Sequence, residues 1–376
     1  MASTPTVAEF FAGIGLVRIA LEDAGMKVVW ANDIEACKFA MYESHFGVQQ
    51  SAHYNLGDVR LTKGADLPSG AVATASFPCT DLSLAGNRAG LVGTQSGMFW
   101  EFARVVEEMG DRKPSVVMLE NVTGFATSHG GKDLYEALKR LNGLGYVCDI
   151  VTIDARAFVP QSRLRMFIVG TQGRIAEDES INSTPSLRPG WIRAFFDQHP
   201  DLDVQQLPLG LPPEKETSLR NAVEVLPARH PLWWTGDRHQ NFMDSLSELH
   251  HQRINLLQAQ GRTHWRTAYR RTRHGRCTWE IRPDEIAGCL RTARGGSSKQ
   301  AVVEIRPRSV RVRWMTPREY AALQGAPDYT LDGTVTDNKA LFGFGDAVCV
   351  PAVEWLAENY LMKALDLVQG AKVNAA

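Results

Sequence analysis

A chain of 376 residues is long enough to bury a sizeable core and to divide into two domains. Its 44% hydrophobic and 22% charged content is ordinary for a soluble globular protein, and a net charge of −1 assigns no partner. Six scattered cysteines without a C-x-x-C pair indicate neither a zinc site nor a dithiol motif and suit a reducing compartment. No leader of basic then apolar residues is present, and no apolar run approaches the roughly 18 residues of a membrane span.

Thr6 to Phe11 reads as a buried strand, and it runs into Ala12-Gly13-Ile14-Gly15. Leu16 to Ala24 has helical spacing, with Gly25 suited to a C-cap. Val28 to Ala31 is a second strand with Asn32-Asp33 at its end. This order (strand, glycine turn, helix, strand, acid) is the layout of a nucleotide-type cofactor site. The glycines let backbone amides approach a ligand, and Asp33 can accept from ribose hydroxyls. The dinucleotide fingerprint wants glycine where Arg18 stands, so a ribose-bearing cofactor without a pyrophosphate fits better. The alternative is a tight strand–helix turn with no ligand.

Ile34 to Phe46 continues as a helix, and Leu56 to Val59 ends a third strand that presents Asp58. Ala71 to Ala75 reads as a short buried strand, closed by Pro78, which cannot donate to a ladder. Cys79 follows on a loop with Thr80, Asp81 and Ser83. It is either a nucleophile at a strand end or a buried packing residue. Met98 to Met109 is an amphipathic helix, and Ser115 to Leu119 is a fifth strand ending in Glu120-Asn121-Val122. A carboxylate there is either an ion-paired structural group or a functional acid. Leu134 to Leu144 is the next helix. Val147–Val151 and Met166–Gly170 read as a hairpin, with Arg163 and Arg165 on one strand face by period two. Such a pair suits an anionic partner or lies on a solvated edge.

After Gly170 the periodicity fades through a Pro-, Gly- and Ser-rich stretch to residue 217. From Arg262 to Arg313 there are 14 Lys or Arg against 4 Asp or Glu, interleaved with Trp, Tyr and His. That is an electrostatic footprint for nucleic acid, or else a solvated charged face. Val348 to Leu361 is again helical in pattern.

Taken in order, these segments resemble the cytosine-C5 DNA methyltransferases of the bacterial or phage modification type. Phe11-Ala12-Gly13-Ile14-Gly15 is similar to the family's first cofactor motif, and Asn32-Asp33-Ile34 and Gly57-Asp58-Val59 to its second and third. Phe77-Pro78-Cys79 resembles the nucleophile motif, Glu120-Asn121-Val122 the acid motif, and Gln161-Ser162-Arg163-Leu164-Arg165 the Gln-x-Arg-x-Arg motif. Arg313 to Glu319 with Leu323-Gln324-Gly325 resembles the ninth motif, and Gly345-Asp346-Ala347-Val348 with Pro351 the tenth. Thr80 stands where glutamine is usual, Asp346 where asparagine is, Cys289 where threonine is, and Glu9 where aspartate is commoner.

The resemblance implies an α/β fold, a Rossmann-like doubly wound, mostly parallel sheet with a smaller target-recognition domain. The expected boundaries are 1–170 plus 341–376 for catalysis and 171–340 for recognition. It implies methyl transfer from S-adenosylmethionine to C5 of a flipped-out cytosine in double-stranded DNA, leaving S-adenosylhomocysteine. Cys79, Glu120, Arg163 and Arg165 would be catalytic. Phe11 through Leu16, Asp33, Ile34, Asp58, Val59, Pro78, Met98, Asp346, Ala347 and Val348 would hold the cofactor. Thr80, Ser83, Arg88, Arg291, Arg294, Gly295, Gly296, Ser297 and Lys299 would contact DNA, with no metal. A cytoplasmic monomer is expected, in a restriction–modification or orphan prokaryotic role, a cognate restriction endonuclease being the implied companion.

Three rival readings are distinguishable. A tRNA cytosine-C5 methyltransferase on the same fold resembles a shorter form with a Cys-Phe-Thr signature, which this chain lacks. A silent DNA-binding regulator has no need of Cys79, Glu120 and Arg163 together. A nicotinamide oxidoreductase is disfavoured by Arg18.

Overall fold

The computed structural model describes residues 4–78, 97–175, 186–213, 217–273, 275–291 and 299–375. In chain order the regular elements begin with β1 (Thr6–Phe10), α1 (Leu16–Asp23), β2 (Lys27–Asp33), α2 (Ala36–Phe46), β3 (Tyr54–Leu56) and β4 (Val72–Ala75). There follow α3 (Met98–Glu108), β5 (Val116–Val122), α4 (Lys132–Gly143), β6 (Tyr146–Asp154), β7 (Leu164–Gln172) and α5 (Gly190–Gln198). Next come α6 (Gly236–Asp244), α7 (Glu248–Ala259), β8 (His264–Arg273), β9 (Arg276–Ile281), β10 (Gln300–Arg306) and β11 (Ser309–Trp314). The chain closes with α8 (Pro317–Leu323), α9 (Asp337–Asp346), α10 (Val350–Leu356) and α11 (Met362–Ala375). These form two units, one of residues 1–154, 164–212 and 350–376, the other of 155–163 and 213–349.

The first unit is built on a seven-stranded sheet in the order β3-β2-β1-β4-β5-β7-β6. The first five strands are parallel, and β7 runs antiparallel to both β5 and β6. Helices on both faces bury the strands, which explains why β4 and most of β1, β5 and β6 read as continuous apolar runs. The strand order reverses between β1 and β4, and such switch points open a crevice at the carboxyl ends of the strands.

The expected boundary at residue 170 moves to 212, for a reason the local pattern did not carry. Arg188, in the weakly periodic stretch, is buried against Asp149 of β6, with Nε to Oδ1 at 3.1 Å and Nη2 to Oδ2 at 2.6 Å. Between α10 and α11 the helix widens into a π-helical stretch, Ala357–Leu361, which carries Tyr360. The Tyr360 hydroxyl donates to the same carboxylate at 2.9 Å. Burial pushes the Asp149 carboxyl up, and Arg188 pulls it back. The stretch Asp337–Ala371 does reach membrane-like hydropathy, against expectation, but 72% of its apolar window is buried inside the fold. It is core helix, interrupted by Ala347 to Cys349.

The second unit carries a four-stranded antiparallel sheet, ordered β11-β10-β8-β9. Phe242, Leu246, Ile254 and Leu257 pack with Ala268, Ile281, Val303 and Ile305 into one core. The basic segment is therefore mostly sheet, and much of its charge is neutralised within the unit. Arg266 pairs with Glu285, Arg273 with Glu280, Arg282 with Asp284, and Arg306 and Arg311 with Glu304. Arg313 pairs with Glu319, both side chains at 0% exposure. Glu319 also completes a capping box with Thr316 at the start of α8.

Candidate active site

The loop after β1 is a strained turn held by β2. Phe11 has φ 58°, rare for a residue with a side chain, and Gly13 and Gly15 have φ 58° and 82°. The Gly13 amide donates to Asp33 Oδ2 at 3.0 Å, and the Glu35 amide to Oδ1 at 2.9 Å. Tyr54 donates its hydroxyl to Gly13 O at 3.0 Å, and the Ala12 amide donates to Asn32 O at 2.9 Å. Asp33 is thus first a clamp on the turn, a role its strand-end position did not announce. A Cβ on Gly15 would stand 2.5 Å from the Phe46 ring and 2.7 Å from Tyr42. Ala12, Ile14, Leu16 and Val59 are buried. Ile34, beside Asp33, is 61% exposed.

Arg18 is buried behind the turn, where it donates to Glu22 Oε1 at 3.0 Å, Tyr42 OH at 3.1 Å and Gln50 O at 2.9 Å. Its guanidinium lies over the Phe46 ring, 3.9 Å from the centroid. This position, which a dinucleotide site fills with glycine, is here a structural bracket. Asp58 accepts the Arg60 amide at 2.9 Å, and its bonds to the Arg60 side chain hold its carboxyl below the usual range.

Three strand ends gather the acid cluster of the first unit. Glu120 lies within β5 rather than beyond it, and is 7% exposed. Arg165 Nε lies 2.9 Å from Glu120 Oε1. Asn121 Nδ2 donates to Phe77 O at 3.2 Å, tying β5 to the segment after β4. Exposed Pro78 follows, leading directly to position 79. Asn121 was visible in the sequence without a role; the signal was its place beside the acid. Met98, half-buried, opens α3.

Arg163 does not share a strand face with Arg165. β7 starts at Leu164, and Arg163 belongs to the second unit. Only 3% exposed, it donates to Leu290 O at 2.9 Å and Ala347 O at 2.5 Å. Gln161, wholly buried, donates to Leu323 O at 2.7 Å and accepts the Leu290 amide at 3.1 Å. Gln324 adds a bond to Ala347 O at 3.1 Å. The Gln-x-Arg motif thus knots the 290 and 347 loops of that unit together. Asp346 is exposed at the end of α9, Ala347 is half-buried and Val348 buried. Arg291 is exposed, and Lys299 bonds Asn338. Cys79, Thr80, Ser83, Arg88, Arg294, Gly295, Gly296 and Ser297 lie outside the described residues.

A family model described as C-5 cytosine-specific DNA methylase matches residues 6–361. The chain belongs to that family. Among its relatives, the type II methyltransferase M.NlaX of Neisseria lactamica is 26% identical over 370 residues, covering 98% of this chain and 99% of the relative. The type II methyltransferase M.HpaII of Haemophilus parainfluenzae is 27% identical, covering 95% of this chain and 89% of its own length. The crystal structure of S. pombe Dnmt2 methyltransferase shares the fold, with TM-score 0.64 at 18% identity over 96% of this chain and 99% of that one. The Rossmann-like sheet and separate smaller antiparallel sheet of this methylase are therefore those of its family.

Proposed function

We propose that this chain methylates C5 of a cytosine in a specific double-stranded DNA sequence, using S-adenosylmethionine, through a covalent bond between Cys79 and C6. The observation that carries the reading is the strand-end cluster of Glu120, Arg165 and Asn121, bonded to Phe77 two residues before Cys79.

The residues at the switch point fit the cofactor. Asp33 ends β2, Asp58 lies two residues beyond the neighbouring β3, and Ile34 leaves an apolar side chain 61% exposed beside Asp33, as an adenine ring requires. The strained Phe11–Gly15 turn brings backbone close to the same place. The cofactor supplies an electrophilic methyl group on sulfonium. Phe11, Gly13, Asp33, Ile34, Asp58 and Pro78 would bind and orient it, with Asp346 to Val348 contributing from the tenth motif.

Cytosine C5 is too weak a nucleophile to take that methyl unaided. The Cys79 thiolate adds to C6, which turns the ring into an enamine with a reactive C5. Glu120 supplies the donor to N3 as charge develops on the ring, and Arg165 orients Glu120. Arg163 stabilises the base carbonyl. After C5 takes the methyl, its proton leaves to a general base, the S–C6 bond breaks, and Cys79 departs as thiolate. C5 is inaccessible in a stacked duplex, so the cytosine flips out. The second unit would then recognise the target sequence.

Treating unmethylated DNA of mixed sequence with protein and cofactor, then mapping 5-methylcytosine by bisulfite sequencing, tests this. Methylation confined to one short sequence is expected. Methylation of tRNA with none on duplex DNA would overturn the reading.

A further inference from the structure

We propose that the second unit holds a pocket for an unpaired nucleotide, built from Trp234, Trp279, Trp314, Arg238 and Asn241. The inference rests on the reading of this chain as a DNA-acting protein. It concerns a place other than the methyl-transfer residues.

The pocket has a volume of about 480 Å³, several times that of a nucleobase, and opens on one side of the four-stranded sheet. Its walls are three tryptophans whose ring centroids stand 5.1–5.4 Å apart. Trp279 faces Arg270 across the β8–β9 ladder, and Trp314 ends β11. Trp234 is 7% exposed, and its Nε1–H is buried without an acceptor among the described residues.

The charge on the lining selects the ligand. Arg238 and Arg270 line the pocket, and among the described residues no acid does. Arg238 lies over Trp234, 4.4 Å from the centroid, and makes no ion pair among the described residues. A cationic guest, the usual occupant of an aromatic cage, is repelled by two guanidiniums. An aromatic guest carrying an anion is accepted: its ring stacks on indole or guanidinium, and its phosphate meets arginine. Asn241 and Ser245 add amide and hydroxyl groups that can read a base edge. The β8–β9 hairpin adds exposed Arg271 and Arg276 beside it. A base stacked inside a duplex cannot enter a concave site, so the occupant is a nucleotide that has left its partner.

The test titrates the four deoxynucleoside 5′-monophosphates, one at a time, into the full chain by calorimetry. Arg238→Ala, Asn241→Ala and Glu120→Gln chains follow. Arg238 and Asn241 are exposed, so both variants should fold, and a thermal melt checks this. Saturable binding of at least one nucleotide is expected, weakened tenfold or more in Arg238→Ala and Asn241→Ala and unchanged in Glu120→Gln. Inorganic phosphate should not compete at matched concentration, whereas the parent nucleoside should. No saturable binding, equal competition by phosphate, or loss in Glu120→Gln alone would overturn the proposal. Methyl transfer to duplex DNA, measured on the same preparations, reports separately on the methylase reading.

Discussion

Arg165 and Glu120 meet diagonally across β7 and β5, where the register pairs Val122 with Arg165 and Glu120 with Phe167. Their side chains are 15% and 9% exposed, so the pair is poorly screened by solvent. Removing one partner of such a pair leaves the other uncompensated, at a cost of roughly 3–5 kcal/mol. Arg165→Ala is expected to lower single-turnover methyl transfer at least a hundredfold while S-adenosylmethionine affinity holds. Arg165→Lys should recover part of the rate. Equal rates in wild type and Arg165→Ala would remove Arg165 from the positioning of Glu120.

Gly15 tests the cofactor turn. Alanine there would need φ 82° and would press into the Phe46 and Tyr42 rings. Backbone strain alone costs about 1–2 kcal/mol. Gly15→Ala should lower the melting temperature and weaken cofactor binding at least tenfold by calorimetry. Gly25→Ala, with φ 85° and open space around it, should lower stability without the cofactor effect.

Glu9 gives a pH signature. It is 1% exposed in β1, neither carboxyl oxygen has a partner among the described residues, and burial raises its pKa to about 8. Arg18 pulls it down, but less strongly. With the folded value above the ordinary 4.5, the folded state keeps a proton that the unfolded chain releases. Stability is therefore full below pH 4.5 and falls as pH rises towards about 8. The limiting slope is about 1.4 kcal/mol per pH unit. Glu9→Gln should flatten urea-derived stability between pH 5 and 8, by this mechanism. A wild-type slope that survives in Glu9→Gln would assign it to other groups.

Tyr360 tests the C-terminal anchor. Its hydroxyl is one of the donors that meet buried Asp149, alongside Arg188. Tyr360→Phe keeps the ring and loses the bond, and should cost about 1.5–3 kcal/mol, the range for a bond to a charged group. Arg188→Ala should cost more, because it leaves a buried carboxylate with less compensation. Chemical denaturation of the two variants gives the order directly.

Sequence patterns carried the sheet well, because β1, β2, β4 and β5 are apolar runs bounded by Gly, Pro or acid. They failed where distant residues decide. Period two put Arg163 and Arg165 on one face, yet β7 begins between them and each serves a different unit. Asp149, Arg188 and Tyr360 are separated by 39 and 211 residues in their bonds, so no local window joins them. The count of basic residues near β8–β11 was sound. Their ion pairs to Glu304, Glu285 and Glu319 show only in three dimensions. Motif order put Glu120 and Arg165 in one catalytic set, and the fold supplied the direct 2.9 Å approach between them.

The central claim is a covalent bond from Cys79 to the flipped cytosine, and trapping on duplex DNA carrying 5-fluorocytosine at the mapped target tests it most directly. Fluorine at C5 cannot leave as a proton does, so the adduct persists. With S-adenosylmethionine present, wild type should give a protein–DNA complex that survives denaturation, and Cys79→Ser should give none. A wild type that methylates ordinary DNA but never traps, or a Cys79→Ser chain that traps equally well, would contradict the account.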